Sequence, residues 1–433
     1  MNKIITLFIF LLSLNCLADK QYEKLNKYLE LVKEYEKGMG SVAILAKGKL
    51  VYTKHFGPEK VKDPVYRIGS ISKTYTAVII LKLIEEGKLK LDTKLSNFYP
   101  KIHQSASITV ENLLRHSSGL PNLTSVDGYL EYHEKHQSEE VHLERFRSYK
   151  LEFSPGEKSK YSNTGYVLLS FIASKVTGKT YSDLLDQYIT SPLKLKNTFV
   201  FNSKNPRDQE VKSYEKGAKW ELAGNTHESV PLGAGAIAST SNEVLVFIRA
   251  LFNGELVTKR SLSMMTSIKD SYGLGLFEIP YHNKTFFGHT GGIDGFRSIV
   301  GYNKEEDLAF AQLSNGMVTN FNDISIAILA SYFKDSFDIP TFKKAVSVSE
   351  NILKKYVGTY SGNDFPLKLT FHYRNGALFG KASGPGQSEV PFEATSNTDF
   401  SYFRAGIKLN FSADGSELKF TQGETALLKK EVD

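Results

Sequence analysis

The 433-residue chain contains a single cysteine, Cys16. No intrachain disulfide can form, and a metal site built on several thiolates is excluded. Long hydrophobic runs are missing as well. No stretch beyond the amino terminus approaches the ~18 uninterrupted apolar residues of a membrane-spanning helix, so no transmembrane helix is expected. Internal repeats and low-complexity segments are absent, which excludes a repeat array. Basic residues are not clustered: 54 Lys and Arg stand against 47 Asp and Glu, a net charge of +7. That mild excess suits a protein near anionic material and is far from a nucleic-acid footprint. What is present is an ordinary globular composition, 41% hydrophobic and 23% charged. Its length allows two or three domains, each with a real core.

The amino terminus places the cysteine. Lys3 is followed by an apolar run over residues 4–12, too short to span a membrane comfortably. A basic start, an apolar core and then small residues form the pattern of a secretory signal peptide over residues 1–18. Cys16-Leu17-Ala18 resembles a small-x-small cleavage site, which makes Asp19 the mature start and leaves a thiol-free chain of charge +6, since Lys3 is the one charge removed. The rival is lipoprotein processing with Cys16 acylated, which Ser13-Leu14-Asn15 fits poorly. The expectation is an exported protein, periplasmic or extracellular.

Along the chain, Leu25, Tyr28, Leu29, Val32 and Tyr35 recur at helical spacing, predicting an amphipathic helix stopped by Gly38 and Gly40. Residues 41–46 and 50–56 read as a β-hairpin across Lys47-Gly48. A buried helix is expected from Ser70 to near Gly87. Helices and loops follow to about residue 260, then strands at 274–279, 284–290, 296–302 and 308–314 and a helix near 323–334. This predicts an α/β domain over 19–340 whose sheet is closed by both of its ends. Beyond Asp338-Ile339-Pro340, a short helical stretch at 349–356 precedes β-type segments at 367–373, 378–382, 400–404, 407–411 and 418–422. Asn375-Gly376 and Asp414-Gly415 are hairpin signals between them. Residues 345–433 are read as a separate small antiparallel all-β domain, a barrel.

The chemistry begins at Ser70-Ile71-Ser72-Lys73. Four other S-x-x-K patterns occur, at Ser191, Ser213, Ser331 and Ser416, so the pattern alone is weak. Only Ser70 joins an extended segment to the start of a long apolar helix. There the i, i+3 spacing puts hydroxyl and amine on one face, and the helix start offers backbone N–H groups to an oxyanion. A serine needs a base. Lys73 serves only if neutral, a drop of roughly three pKa units or about 4 kcal/mol, which burial in the apolar helix can supply.

Two further motifs follow, Tyr161-Ser162-Asn163 and His289-Thr290-Gly291. Tyr-x-Asn recurs at Tyr373, whereas no other Lys/His-Thr-Gly occurs. In this order the three sets resemble the active-site motifs of the serine β-lactamase and penicillin-binding protein superfamily. Tyr161 resembles its class C β-lactamase, D-Ala-D-Ala carboxypeptidase and esterase branch. Residues 113–120, 234–240 and 272–275 add to the resemblance, which covers roughly residues 40–335. It implies an antiparallel sheet flanked by helices with a helical insert, and an enzyme without cofactor or metal. It implies that Ser70 forms an acyl-enzyme, that Lys73 and Tyr161 share proton transfer, with Tyr161 as a phenolate beside Lys73, and that the Ser70 and Gly292 N–H groups form the oxyanion hole. Asn163 orients Lys73 and binds substrate, as do Thr290 and Gly291 on the strand edge. Tyr356-Val357-Gly358-Thr359-Tyr360 resembles the start of a lipocalin-like domain appended to some members, through which a homo-oligomer can assemble.

The chain departs from the superfamily at His289, where most of its β-lactamases carry lysine. A histidine is only partly charged at neutral pH, which places carboxylate recognition on Arg297 if anywhere. This resembles the carboxypeptidase and esterase branches more than efficient β-lactamases, and the expected substrates are D-amino-acid peptides, some peptidoglycan-derived, β-lactams or small esters. Two alternatives stay open: a β-lactamase proper, and a non-catalytic binding protein on a hydrolase fold. The Glu221–Asn225 deacylation-like pattern reads as chance, His133-Glu134-Lys135-His136 is one residue short of a zinc motif, and His116 is expected to shape a loop.

Overall fold

The computed structural model describes residues 20–58, 61–363, 365–384, 387 and 389–431. Segment 1–18, with Cys16, lies outside the described residues. Helix α1 (Glu23–Glu34) buries Leu25, Tyr28, Leu29 and Val32 on one face, as the spacing predicts. It ends before the two glycines expected to stop it. Gly38 and Gly40 belong instead to strand β1 (Gly38–Ala46), where Gly40 permits close approach to a neighbouring strand: a Cβ there would lie 2.2 Å from the Leu313 carbonyl oxygen. Lys47 and Gly48 both take left-handed φ, of 49° and 75°, and turn the chain into β2 (Lys49–Phe56) as an antiparallel hairpin.

The helices on the way to the remaining strands of the main sheet include α2 (Ser72–Glu85), α3 (Asn163–Thr177) and α4 (Ser241–Phe252). The strands are β3 (Phe277–Tyr281), β4 (Lys284–Ile293), β5 (Phe296–Asn303) and β6 (Leu308–Met317), and α5 (Phe321–Phe333) completes the layer. They form one six-stranded sheet in the order β2-β1-β6-β5-β4-β3. Both faces of β1 are covered, because successive side chains alternate between them. Val42, Ile44 and Ala46 enter a core with α1 and α5, while Ala43 and Leu45 enter the larger core with α2, α3 and α4. The strand expected at 274–279 starts later. Gly275 is left-handed (φ +71°) and pressed onto α2, where a Cβ would fall 2.7 Å from that of Ala77, so residues 274–276 stay a loop and β3 begins at Phe277.

Residues 335–349 form neither helix nor strand. After α6 (Glu350–Tyr356), eight strands close into a barrel in sequential order: β7 (Gly358–Gly362), β8 (Phe365–Arg374), β9 (Ala377–Ala382), β10 (Val390–Ala394), β11 (Asp399–Tyr402), β12 (Ile407–Phe411), β13 (Glu417–Gln422) and β14 (Glu424–Lys430). Asn375 and Gly376 take the left-handed turn between β8 and β9, as their sequence signals. The segment expected as strand to Arg404 stops at Tyr402, because Phe403–Ala405 turn as a 3-10 helix and reach the six-stranded sheet. Nε of Arg404 donates to the Met317 carbonyl at 2.8 Å, and Glu393 of β10 accepts from the fully buried Lys37 and lies 3.2 Å from Lys216 Nζ.

Candidate active site

Ser70 sits on a single 3-10 turn (Gly69–Ile71) that runs directly into α2, so the turn and first helical residues keep Ser70 and Lys73 on one side. The turn is held against the end of β4 by main-chain contact. Gly69 takes φ +52°, and a Cβ there would lie 2.7 Å from the Gly292 nitrogen; a Cβ on Gly291 would lie 2.0 Å from the Ile68 carbonyl. Ser298 of β5 donates to that same carbonyl at 2.8 Å. The absence of side chains at 69 and 291 is therefore what brings the Ser70 turn and the strand edge together.

Lys73 is fully buried under this turn. Its Nζ donates to Asn163 Oδ1 at 2.7 Å and to the Ala234 carbonyl at 2.8 Å, and lies 3.0 Å from Ser70 Oγ. No carboxylate partners it among the described residues, and burial holds its pKa well below the ordinary lysine value. A neutral amine fits the three neighbours. Two N–H groups meet the two carbonyl-type oxygens, and the lone pair faces the Ser70 hydroxyl. Tyr161 donates its hydroxyl to Ser70 Oγ at 2.7 Å. Burial raises the Tyr161 pKa above its ordinary value, so the phenol is the resting form and the phenolate implied by the resemblance is not what this environment favours.

Asn163 starts α3, and its amide orientation is set by neighbours that sequence reasoning missed. Nδ2 donates to Asn122 Oδ1 at 2.9 Å, and Asn122 also accepts the Asn163 backbone N–H at 3.0 Å. That leaves Oδ1 facing Lys73. Position 122 follows the Ser118-Gly119-Leu120-Pro121 loop, a turn signal that marked the loop and not the residue. His116, with φ +58°, accepts the Ser162 backbone N–H through Nδ1 at 3.1 Å and packs 4.5 Å from the Tyr161 ring, fixing that loop.

His289 lies with its ring 4.7 Å from that of Phe277 and 6.4 Å from that of Tyr161, and its Nδ1 is bonded to the Thr290 carbonyl. Burial and the nearby Lys73 push its pKa down to about 3. The expected partial charge at neutral pH is thus corrected: the imidazole is neutral there. Thr290 is exposed to the cleft, beside Gly291 and Gly292. Arg297 is not among the residues lining the cleft. It runs beside Gly292 and donates to the carbonyls of Phe296 (2.8 Å) and Asp294 (3.3 Å). Asn225 of the deacylation-like pattern accepts from Arg67 at 2.7 Å, outside this cluster.

Two lobes meet at Ser70. One, of about 330 Å3, is lined by Leu123, Tyr129, Leu130, Asn163, Glu215 and Asp294 among others. The second, of about 390 Å3, is lined by Tyr161, Tyr272, Phe277, Glu278, His289 and Thr290 among others. An acyl compound can therefore lie across Ser70 with one half in each lobe.

Residues 29–331 match the Beta-lactamase family. A penicillin-binding protein of Bacillus subtilis (strain 168) is 23% identical over 376 residues, covering 78% of this chain and 82% of that protein. The D-stereospecific amidohydrolase from Streptomyces sp. superposes with a TM-score of 0.64 at 25% identity, over 71% of this chain and 98% of that one. The octameric penicillin-binding protein homologue from Pyrococcus abyssi has a TM-score of 0.65 at 23% identity and covers 94% of this chain and 100% of that one.

Proposed function

From membership of the Beta-lactamase family, to which the chain belongs as a serine hydrolase, we propose that it acts through a Ser70 acyl-enzyme on D-amino-acid peptides, amides or small esters. The observation that carries this reading is the hydrogen-bonded row Tyr161–Ser70–Lys73, with a desolvated amine at its end. Neutral Lys73 takes the Ser70 proton as Oγ attacks the carbonyl carbon. The tetrahedral oxyanion is stabilised by the N–H groups of Ser70 and Gly292, each donor contributing roughly 3 kcal/mol in such sites. The Tyr161 phenol protonates the departing amine or alkoxide, and the Lys73 ammonium returns a proton to Tyr161. Water then attacks the ester carbonyl as Lys73 accepts its proton, and Lys73 returns that proton to Ser70 Oγ as the acyl–oxygen bond breaks, releasing the acid and restoring the serine. Amide substrates also agree with the similarity to the Streptomyces amidohydrolase.

A neutral His289 and a cleft without Lys or Arg in its lining support amides or esters over rapid β-lactam turnover, because a β-lactam carboxylate meets no fixed cation. The export pattern of residues 1–18 supports action outside the cytoplasm, and the tail from about residue 345 is proposed as a separate β domain offering an assembly surface. The test is mass spectrometry after incubation with a fluorophosphonate and, separately, a penicillin, with Ser70→Ala as control. The expected result is one adduct on Ser70 with the fluorophosphonate, none in the variant. No adduct on Ser70, or hydrolysis by Ser70→Ala at the full rate, overturns the mechanism.

A further inference from the structure

We propose that the buried ion pair Arg67–Asp294 is a positioning pair for the reaction, keeping the two oxyanion donors, the N–H groups of Ser70 and Gly292, in register. The inference rests on the Ser70 acyl-enzyme reading and extends it to what holds the donor geometry.

The two donors stand on segments far apart in sequence, which meet through main chain at Gly69 and Gly291. Close packing limits how near such segments come, but it does not stop one from sliding along the other. Arg67 and Asp294 supply a directional link beside that contact. Arg67 precedes the Ser70 turn, in the two-residue strand Tyr66–Arg67 that pairs with Ala238 and Ser239. Asp294 follows Gly292 at the turn between β4 and β5, with φ +51°. Arg67 Nη1 donates to Asp294 Oδ2 at 3.2 Å. The Ser298 hydroxyl bond to the Ile68 carbonyl holds the same turn from β5, so the nucleophile segment is fastened on two sides.

Both charged groups have their other directions filled. Arg67 Nη2 donates to Asn225 Oδ1 at 2.7 Å, Nη1 also reaches the Thr226 carbonyl at 3.3 Å, and the guanidinium lies 4.0 Å over the Phe201 ring. Asp294 Oδ1 accepts the Thr226 hydroxyl at 2.6 Å and the Thr226 backbone N–H at 3.2 Å. Neither group is free to swing away, and the wall of the first lobe at Thr226 hangs from the pair. The two side chains are 10% and 3% exposed, so water and salt screen the link little. A buried ion pair is a poor source of stability, because desolvation offsets the attraction and a neutral pair of similar shape packs as well. What a guanidinium fork on a carboxylate adds is fixed direction. Here that direction is imposed between the segment that carries one oxyanion donor and the segment that carries the other.

The test is the double variant Arg67→Gln/Asp294→Asn, which removes both charges together and orphans neither. Its kcat/KM for p-nitrophenyl acetate is expected to fall at least about ten-fold, since displaced donors stabilise the oxyanion less. The second readout is the 31P resonance of the Ser70 adduct formed with a fluorophosphonate. The phosphoryl oxygen of that adduct lies where the oxyanion forms, and its resonance follows the hydrogen bonds it accepts. In the variant it is expected to move toward the position seen in the denatured adduct, a change that a role confined to stability would not produce. Arg249→Gln/Asp307→Asn removes another ion pair (2.8 Å), one outside the cleft lining, and is expected to leave both readouts in place. An unchanged kcat/KM, a resonance that stays put, or the same changes in the Arg249/Asp307 variant each overturns the proposal. If the double variant does not fold, Arg67→Lys decides by the same readouts: it keeps the charge and loses the fork, and an unmoved resonance overturns the proposal. Absence of any Ser70 adduct in the unsubstituted enzyme defeats the acyl-enzyme reading itself, whereas an adduct whose resonance ignores the pair defeats the positioning role alone.

Discussion

His116 Nδ1 accepts the backbone N–H of Ser162 at 3.1 Å, which requires that nitrogen to be unprotonated. The bond joins the loop after the first motif to the Tyr161–Asn163 segment, so the state of one imidazole bears on the whole proton-transfer row.

Burial keeps two further histidines neutral, although His142 Nε2 and His289 Nδ1 donate to the carbonyls of Ser229 and Thr290 and accept no N–H there. Burial holds His116 well below the ordinary value, His142 at about 4 and His289 at about 3. Between those values and 6.5 the unfolded chain binds more protons than the folded one. The stability these neutral rings contribute is present above pH 6.5 and is lost as pH falls toward their folded values, by up to about 2 kcal/mol per histidine at pH 5. Denaturant midpoints at pH 7 and pH 5 measure this, and His289→Gln should show the smaller acid loss.

Activity should follow Lys73 on the acid side. Because its pKa is depressed by burial, kcat/KM is expected to rise with pH and reach a plateau well below the ordinary lysine value of 10.5. The alkaline fall belongs to Tyr161, above its ordinary 10.0. Tyr161→Phe should lose the alkaline limb and keep the acid one. An acid limb near pH 10 in the unsubstituted enzyme contradicts a neutral Lys73. Lys73→Ala should lower acylation roughly 10³-fold.

Asn122 is expected to act through Asn163 as a positioning residue. Asn122→Ala removes the nearer of the two acceptors that aim the Asn163 amide, leaving it only Thr124 Oγ1 at 3.3 Å to hold Oδ1 toward Lys73. A loss of about ten-fold in kcat, with an acid limb shifted from that of the unsubstituted enzyme, is expected from pH–rate profiles; a change confined to thermal stability would mark a purely structural role.

Gly69→Ala tests the contact beneath the oxyanion hole. The new Cβ meets the Gly292 nitrogen at 2.7 Å in a left-handed backbone, combining roughly 1–2 kcal/mol of conformational cost with 1–3 kcal/mol of overlap. A lower melting temperature and a loss of kcat of at least about 100-fold are expected, whereas Gly178→Ala at a left-handed site with open space should lower stability alone.

Glu393→Gln should destabilise the protein by roughly 3–5 kcal/mol, since it leaves the buried Lys37 without its carboxylate, while Lys216 keeps Glu36 at 3.4 Å. Urea unfolding measures it, and a change under 1 kcal/mol would mean water reaches the Lys37 amine.

How much of this was legible depends on where the information lies along the chain. Ser70 and Lys73 were visible because their relation is local, one helical turn; Tyr161, Asn163, His289, Thr290 and Gly291 were visible only as a resemblance, since nothing in the sequence brings residue 161 to residue 70. Asn122 and the bond between His116 and Ser162 were hidden, because a loop's hydrogen bonds leave no periodic trace. The barrel was readable from its turns at Asn375-Gly376 and Asp414-Gly415, yet β7, β10 and β14 were missed. Their short segments, such as Gly358–Gly362, carry too little apolar alternation to stand out, and ring closure between β7 and β14 is a long-range pairing. The loop at Gly275 read as strand because its apolar residues pack on α2, a contact no local pattern encodes.

The contact between the Ser70 turn and the Gly291-Gly292 edge is made by main chain alone, without a side chain on either surface. The width of the catalytic gap is thus fixed by peptide geometry, and a side chain added at 69 or 291 can only force it apart. Any drift in substrate choice must occur in the walls, around residues 123–133, 214–226 and 271–278, where side chains can be exchanged without disturbing the reacting atoms. The spacing of the gap and its adaptable walls are made of different parts of the polypeptide, backbone for the one and side chains for the other.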